Sequence, residues 1–357
     1  VTQRHQLRDF RTRVVALAPF LGALIAAALF GAATPLSKIL LGELAPAQLA
    51  GLLYLGAAAG LLPVVVWRGR ESEPRVSRRG KLRLIGAIAF GGVLGPLLLL
   101  IGLRLASATS VSLWLNMELV ATAVLGHLFF RERLGWSGWI GVAGVTLAGA
   151  ILAGAEVGSG AVAVALVTLA CVCWGLDNHL TALIDGMSAT RATFWKCSVA
   201  GLVNLLLGVA VQAHEASFFV TALALAVGAV SYGASIVLYV SAAQHLGATR
   251  SQLLFATAPF FGVLLSAGLL GEPLMAAQIT VALLMAAGIG VVFAARHGHA
   301  HAHEPLAHTH AHRHDDGHHT HDHEEPVPLI HAHWHEHEAV VHTHPHWPDL
   351  HHRHRHS

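Results

Sequence analysis

Residues 103–134, LRLASATSVSLWLNMELVATAVLGHLFFRERL, align without a gap on residues 243–274, AQHLGATRSQLLFATAPFFGVLLSAGLLGEPL, at an offset of 140. Six of the 32 positions agree: Ala108/Ala248, Thr109/Thr249, Leu113/Leu253, Leu125/Leu265, Glu132/Glu272 and Leu134/Leu274. Leucine matches in apolar sequence carry little weight. The shared Ala-Thr where an apolar run begins and the shared Glu where it ends carry more. A second pair, Phe30-Gly31 and Trp174-Gly175, is followed in each case by polar residues. The chain therefore reads as one unit written twice.

Each copy is almost wholly apolar. The chain is 54% hydrophobic and 12% charged, with a mean hydropathy of +0.59, where an ordinary soluble domain is about 25% charged. A chain of this composition would expose large apolar patches in water, so its solvent is a lipid bilayer. Apolar runs of about 20 residues read as membrane-spanning helices. Ten are predicted, at 17–40, 47–67, 84–103, 107–130, 136–154, 161–184, 192–212, 217–241, 250–270 and 274–295. The fold class is an all-α integral membrane protein with ten transmembrane helices in two five-helix repeats. Because five is odd, the second repeat enters the membrane inverted, a recurring transporter plan with the substrate near the midplane. The domains are a basic arm at 1–16, repeats at 17–156 and 157–296, and a tail at 297–357. The first span follows a basic arm as a signal peptide does. It is too long for one and other spans follow at once, so it reads as an uncleaved helix.

Basic residues in short loops set the orientation. Arg4, Arg8, Arg11 and Arg13, then the cluster Arg68–Arg83, then Arg131 and Arg133 all fall on one side. That side is predicted to be cytoplasmic and to hold both termini of a protein of the cell (inner) membrane. The basic residues form no stripe interleaved with aromatics, and no nucleic-acid partner is expected.

At this point the chain resembles the EamA family of the drug/metabolite transporter superfamily, over roughly residues 17–296. A family repeat carries Glu-Pro inside its fourth helix and Gly-Glu at that helix's end. Here the motif is divided between copies. The first keeps Glu118, followed by Leu119, and ends in Arg131-Glu132. The second has Ala258-Pro259 and ends in Gly271-Glu272. The resemblance implies a small-molecule permease or exporter and fixes no substrate.

Ionisable groups inside spans are costly unless paired or wet, so they mark the substrate path. Glu118 falls near the middle of the fourth span, with Asn116 two residues away and Trp114 one turn back. It reads as a cavity carboxylate for proton coupling or cation binding, or else as a Glu satisfied by a neighbouring helix. Asp177, Asn178 and His179 fan out around the sixth span. They read as a gate or cation site, or as an internal salt bridge from Asp177 to Lys196. Lys196 alone could snorkel to the surface, as is expected of Lys38. Pro96 and Pro259 are expected to kink their spans. His127, His214 and His245 are expected at span ends, and Asn204, Gln212 and Gln252 as helix-bridging donors. Cys171, Cys173 and Cys197 lie in apolar segments and read as packing residues. Gly56-xxx-Gly60 and Gly138-xx-Gly141-xx-Gly144 permit close helix contact, within the chain or across a homodimer. No nucleophile–base pair or nucleotide loop supports an enzyme.

The tail differs in kind. It holds 23 of the chain's 28 histidines, many in alternating runs: His297, His299, His301, His303; His308, His310, His312, His314; and His331, His333, His335, His337. Neutral imidazole is the commonest transition-metal ligand, so these runs read as sites for Ni, Zn, Co or Cu. No cofactor is required by the rest of the chain. With no apolar periodicity, the tail is expected to lack structure without a ligand. The leading functional reading is an ion-coupled metabolite or drug transporter with a metal-binding tail. The alternatives are a divalent-metal exporter, with Glu118, Asp177, His179 and Cys173 as its ligand set, and a membrane-anchored metal store or sensor.

Overall fold

The computed structural model describes residues 19–68, 76–130, 136–155, 160–184, 187–246, 254–294, 297–303, 306–312, 331–337 and 340–346. Residues up to 295 and from 296 onward form separate units. In the first unit every described element is helical. Seven helices are long and apolar enough to cross a membrane: α1 (Pro19–Leu40), α2 (Pro46–Trp67), α3 (Arg78–Leu105), α4 (Ala108–Phe129), α6 (Gly160–Ala182), α7 (Ala189–Val211) and α8 (Phe218–Tyr239). Three shorter apolar helices, α5 (Gly138–Gly154), α9 (Ala258–Leu270) and α10 (Ala276–Val291), complete the described set. The ninth predicted span, 250–270, is shortened by a turn at 256–257. The N-terminal arm and the basic loop residues 69–75 and 131–135 lie outside the described residues.

The helices are apolar on all sides. Trp136 is 82% exposed and Phe218 is 89% exposed at their helix ends, as suits aromatic side chains at a membrane interface. Leu44, Leu49, Leu61, Leu100, Leu103 and Leu113 fill the interior.

Two helices carry the same irregularity. A π-helical segment interrupts α3 at Ile88–Leu94 and α8 at Gly228–Ala234. These are rare conformations, and here they stand 140 residues apart, the offset of the sequence repeat. In α3 the irregular turn is held by side chains from three other helices. Tyr54 Oη (2.9 Å) and Trp174 Nε1 (3.0 Å) donate to the carbonyl of Gly91, and Asn204 Nδ2 (3.0 Å) donates to that of Gly92. Asn204 thus bridges helices as expected. Pro96 sits in the first turn of the helix that resumes at Gly95, directly after the π-helical segment.

Both fourth helices are broken. In α4, Ala108–Trp114 and Met117–Phe129 are separated by a turn at 115–116. There Asn116 N donates to Leu113 O and Glu118 N to Leu115 O. Before α9, Thr257 N donates to Leu254 O in the same short-range manner. Pro259 lies in the first turn of α9, where a missing N–H costs nothing. Its expected kink is in fact a helix start. Gly271 ends α9 with φ +63°, the left-handed conformation glycine adopts freely.

The first helices cross these fourth helices reciprocally. A Cβ on Gly31 of α1 would collide with the carbonyl oxygen of Ala258 and lie 3.0 Å from Gly262 N, both in α9. A Cβ on Gly175 of α6 would lie 2.9 Å from Thr122 N in α4. The Phe-Gly and Trp-Gly pairs are therefore the points where backbone meets backbone. Gly56 and Gly60 face Leu225, Ala229 and Gly233 of α8, and Gly288 of α10 faces Gly141 and Val145 of α5. These glycine rows serve contacts within the chain.

One end of the bundle is tied by polar bonds. Glu272, just beyond α9, accepts from Ala108 N and Thr109 N (both 2.8 Å) and from Thr109 Oγ1 (2.6 Å). It satisfies amides at the start of α4 that have no partner inside the helix. This explains the Ala-Thr of the first copy and the Glu of the second; Glu132, Ala248 and Thr249, which would make the reciprocal pair, lie outside the described residues. Lys38 does not snorkel. Its Nζ donates to the carbonyls of Leu103 (2.6 Å) and Ala106 (2.8 Å), capping the end of α3. Gln278 Nε2 donates to Ser110 Oγ (3.1 Å), and Gln48 Nε2 to the carbonyl of Gln212 (2.7 Å).

The tail unit departs from the expectation of no structure. Its described residues are four strands: β1 (His297–His303), β2 (Leu306–His312), β3 (His331–His337) and β4 (Val340–His346). β1 pairs with β4 and β2 with β3, both antiparallel. The register sets His308 across from His335, His310 across from His333 and His312 across from His331. Alternation of His with Ala or Thr has the period of a strand, so the backbone pairs where hydrophobicity alone offers no core. The histidine side chains lie outside the described set, and with them the predicted metal sites.

Candidate functional site

The two breaks meet at a cavity of about 210 Å³. Its wall takes Leu115 and Asn116 from the turn in α4 and Phe255 and Ala256 from the turn before α9. The reciprocal crossings place Phe30 and Gly31 of α1 and Trp174 of α6 beside them, and Tyr232 comes from the π-helical segment of α8. Discontinuous helices around a central space are the recurring form of a transporter binding site.

Glu118 is in the first turn of the second half of α4. A helix start favours a negative charge, and the break supplies such a start within the bundle. Asn178 Nδ2 donates to Glu118 Oε1 (2.9 Å) and stands 3.4 Å from Thr122 Oγ1. Glu118, Asn116, Asn178 and Pro259 all line the cavity. Ser112 lines it too, one turn before the break. Ser112 is 1% exposed and its hydroxyl has no hydrogen-bond partner among the described residues. The cavity is thus buried at Ser112 and exposed at Asn178. Asn178 lies toward the ends of α4 and α6, away from the end tied by Glu272 and Lys38.

The other predicted path residues stand outside its wall. Asp177 pairs with Lys196, Nζ to Oδ2 2.6 Å, with the two side chains 6% and 16% exposed. Thr181 Oγ1 donates to the other oxygen, Oδ1 (2.9 Å). A Cβ on Gly91 would occupy the space of the Asp177 carboxylate, so the Gly-rich π-helical turn accommodates this pair. Lys196 is thereby held inside the bundle. His179 Nε2 lies 2.9 Å from the Thr122 carbonyl, and its ring stacks on Phe130 at 4.3 Å. Trp114 is buried in the core, and Cys171 Sγ lies 3.8 Å from its carbonyl. His127 meets Trp139 edge-on at 5.2 Å, and His214 Nε2 lies 2.9 Å from Thr221 Oγ1. Among the described residues no three His, Cys, Asp or Glu side chains come together as a metal site. Glu118, Asp177, His179 and Cys173 therefore do not form the shared ligand set that a metal pore would need.

Sequence reasoning missed the rings. Phe30 meets Tyr232 edge-on at 5.4 Å and Phe255 at 5.2 Å, and Trp174 lines the same cavity. The available signal was the Phe-Gly/Trp-Gly pair, since both aromatics stand next to the crossing glycines.

Comparison with known proteins agrees with this architecture. Residues 17–154 and 161–294 each match the EamA-like transporter family. A protein of Methanothermobacter thermautotrophicus described as an uncharacterized transporter is 28% identical over 296 residues, covering 77% of this chain and 85% of that one. A protein of known crystal structure aligns with a TM-score of 0.52 at 15% identity, over 78% of this chain and 97% of that one, which indicates a shared fold. With both parts of the chain matched separately and over most of their length, the protein belongs to the EamA-like transporter family and is a multi-pass membrane transporter.

Proposed function

We propose that the protein is an ion-coupled transporter of a small organic molecule, with ten spans in two inverted five-helix repeats and both termini on the cytoplasmic face of the inner membrane. The observation that carries this reading is Glu118, a carboxylate with no cationic partner among the described residues, on the wall of the cavity where the two broken helices meet. Such a group exchanges a proton for cargo as the cavity is exposed to each side in turn. The three shorter apolar helices count as spans in this reading. The twofold family match, the π-helical pair and the reciprocal crossings support the repeats. Under the predicted orientation the cavity opens inward and is closed outward by the Glu272 and Lys38 contacts.

The test is transport by purified protein in liposomes carrying a pH gradient, with a mixture of small metabolites followed by mass spectrometry. Wild type is expected to accumulate at least one component, and an uncoupler to abolish the accumulation. Glu118→Gln, close in shape but without a titratable carboxyl, is expected to lower it at least about tenfold, the equivalent of about 1.4 kcal/mol. Equal accumulation by Glu118→Gln would rule out this coupling site.

The tail is proposed to be a metal-binding accessory on the cytoplasmic side. Alternating histidines and the His-to-His register of β2 and β3 support this. Deleting residues 297–357 is expected to abolish most of the Ni or Zn retained by the purified protein, as read by elemental analysis. Accumulation in the liposome assay is expected to stay within about twofold, because the tail and the helices that frame the cavity belong to separate units. Loss of transport together with bound metal would instead make metal part of the transport cycle.

A further inference from the structure

We infer that the cargo is a small organic monocation, an ammonium on an apolar body, that binds in exchange for one proton on Glu118. This rests on the reading of the cavity as the transport site. Four rings surround the space, from Phe30, Trp174, Tyr232 and Phe255, and among the described residues Glu118 is the sole acidic or basic residue in its wall. Their π faces attract a cation, most strongly where water is excluded. The nearby ammonium of Lys196 is bound to Asp177 at 2.6 Å, and the second oxygen of Asp177 is taken by Thr181. That pair is closed and contributes no net charge.

The wall therefore has a formal charge of −1 when Glu118 is ionised. An anionic cargo meets that charge with no Lys, Arg or His among the described wall residues to hold it. A zwitterion satisfies Glu118 with its ammonium but leaves its own carboxylate among rings. A neutral cargo gives an ionised Glu118 no counter-charge and leaves a protonated Glu118 nothing to exchange its proton for. A monocation satisfies the carboxylate and the rings together. The size is limited as well, since about 210 Å³ lies below the roughly 300–1,000 Å³ usual for drug-sized ligands.

The exchange balances. Protonated Glu118 gives up its proton to water as the ammonium arrives, leaving a carboxylate–ammonium pair, and one proton leaves for each monocation bound. A single carboxylate holds one or the other, which couples outward movement of cargo to inward movement of a proton.

The experiment is titration calorimetry on the full-length protein in lipid nanodiscs, in two buffers of different ionisation enthalpy. The probes are phenethylammonium, the neutral 2-phenylethanol, the anion 3-phenylpropionate and the zwitterion phenylalanine. Phenethylammonium is expected to bind at least about tenfold more tightly than the other three and to release close to one proton at a pH where Glu118 is protonated. Glu118→Gln is expected to lose both the preference and the release. The buffer comparison on wild type stands even if that variant folds poorly.

Equal or tighter binding of the alcohol, the anion or the zwitterion overturns the inference, as does failure of phenethylammonium to bind. If the metabolite mixture still moves in liposomes in a Glu118-dependent way, the cargo class fails and the transporter reading stands. If Glu118→Gln carries all cargo like wild type, both fail.

Discussion

Lys196→Met is expected to destabilise the protein by about 3–5 kcal/mol, the cost of leaving one member of a buried ion pair without its partner. Asp177 is almost wholly buried and Lys196 mostly so, and Nζ and Oδ2 stand 2.6 Å apart. Methionine keeps much of the length of the side chain but supplies no charge and no N–H donor. Thr181 continues to donate to Oδ1, but Oδ2 would keep a negative charge against Gly91 and the π-helical turn. Thermal unfolding in detergent should show a clear drop in midpoint. Asp177→Asn combined with Lys196→Met removes both charges and is expected to recover most of the loss. Recovery separates a pair that holds helices together from one that works as charges. A stable double variant that transports normally leaves Glu118 as the one working acid. A stable double variant that cannot transport would make the pair part of the cycle. If Lys196→Met melts like wild type, the pair is not closed in the way the distances indicate.

The opening alignment carried more than its six identities suggested. Its offset of 140 also separates the two π-helical segments, which no residue in the alignment announces. Glu272 and Ala108-Thr109 proved to be partners in space, the carboxylate receiving the amides that begin α4. A helix terminus buried in a bundle must satisfy its amides, which is why an acidic residue and a helix start appear together in a repeat. Glu118 was legible for the opposite reason: a carboxylate inside an apolar run is conspicuous. The rings of the cavity were not legible. In a chain apolar on every face, an aromatic residue at the cavity reads the same as one facing lipid, because period and polarity give no contrast. Lys38 was misread for a related reason. Its partners are the backbone carbonyls of Leu103 and Ala106, and every residue has a carbonyl, so no sequence pattern marks the pair. The tail shows the limit of composition as a guide. Its lack of apolar periodicity pointed away from structure, while the alternation of its histidines matched a strand.

Gly175→Leu and Gly31→Leu are expected to be as damaging as the loss of Lys196. A Cβ at Gly175 would stand 2.9 Å from Thr122 N and 3.1 Å from the Ala121 carbonyl carbon. These are backbone atoms, so no rotamer change relieves the contact and α6 must move off α4. That movement pulls Asn178 from Glu118 and His179 from the Thr122 carbonyl, which both depend on the same crossing. At Gly31 the obstructing atoms are Ala258 O and Gly262 N of α9, and displacement there opens the wall beside Phe30. Overpacking ordinarily costs about 1–3 kcal/mol, and both sites belong at or above the top of that range because the neighbours are main chain. Gly22 tests the reasoning on the same helix. A Cβ there meets nothing within 4 Å, so Gly22→Leu is expected to melt and transport like wild type. Because the two crossings are reciprocal, Gly31→Leu and Gly175→Leu should lower transport to similar degrees. A protein that tolerates one and not the other would place the working crossing on one side alone, and the two first helices would then not share the task of framing the cavity.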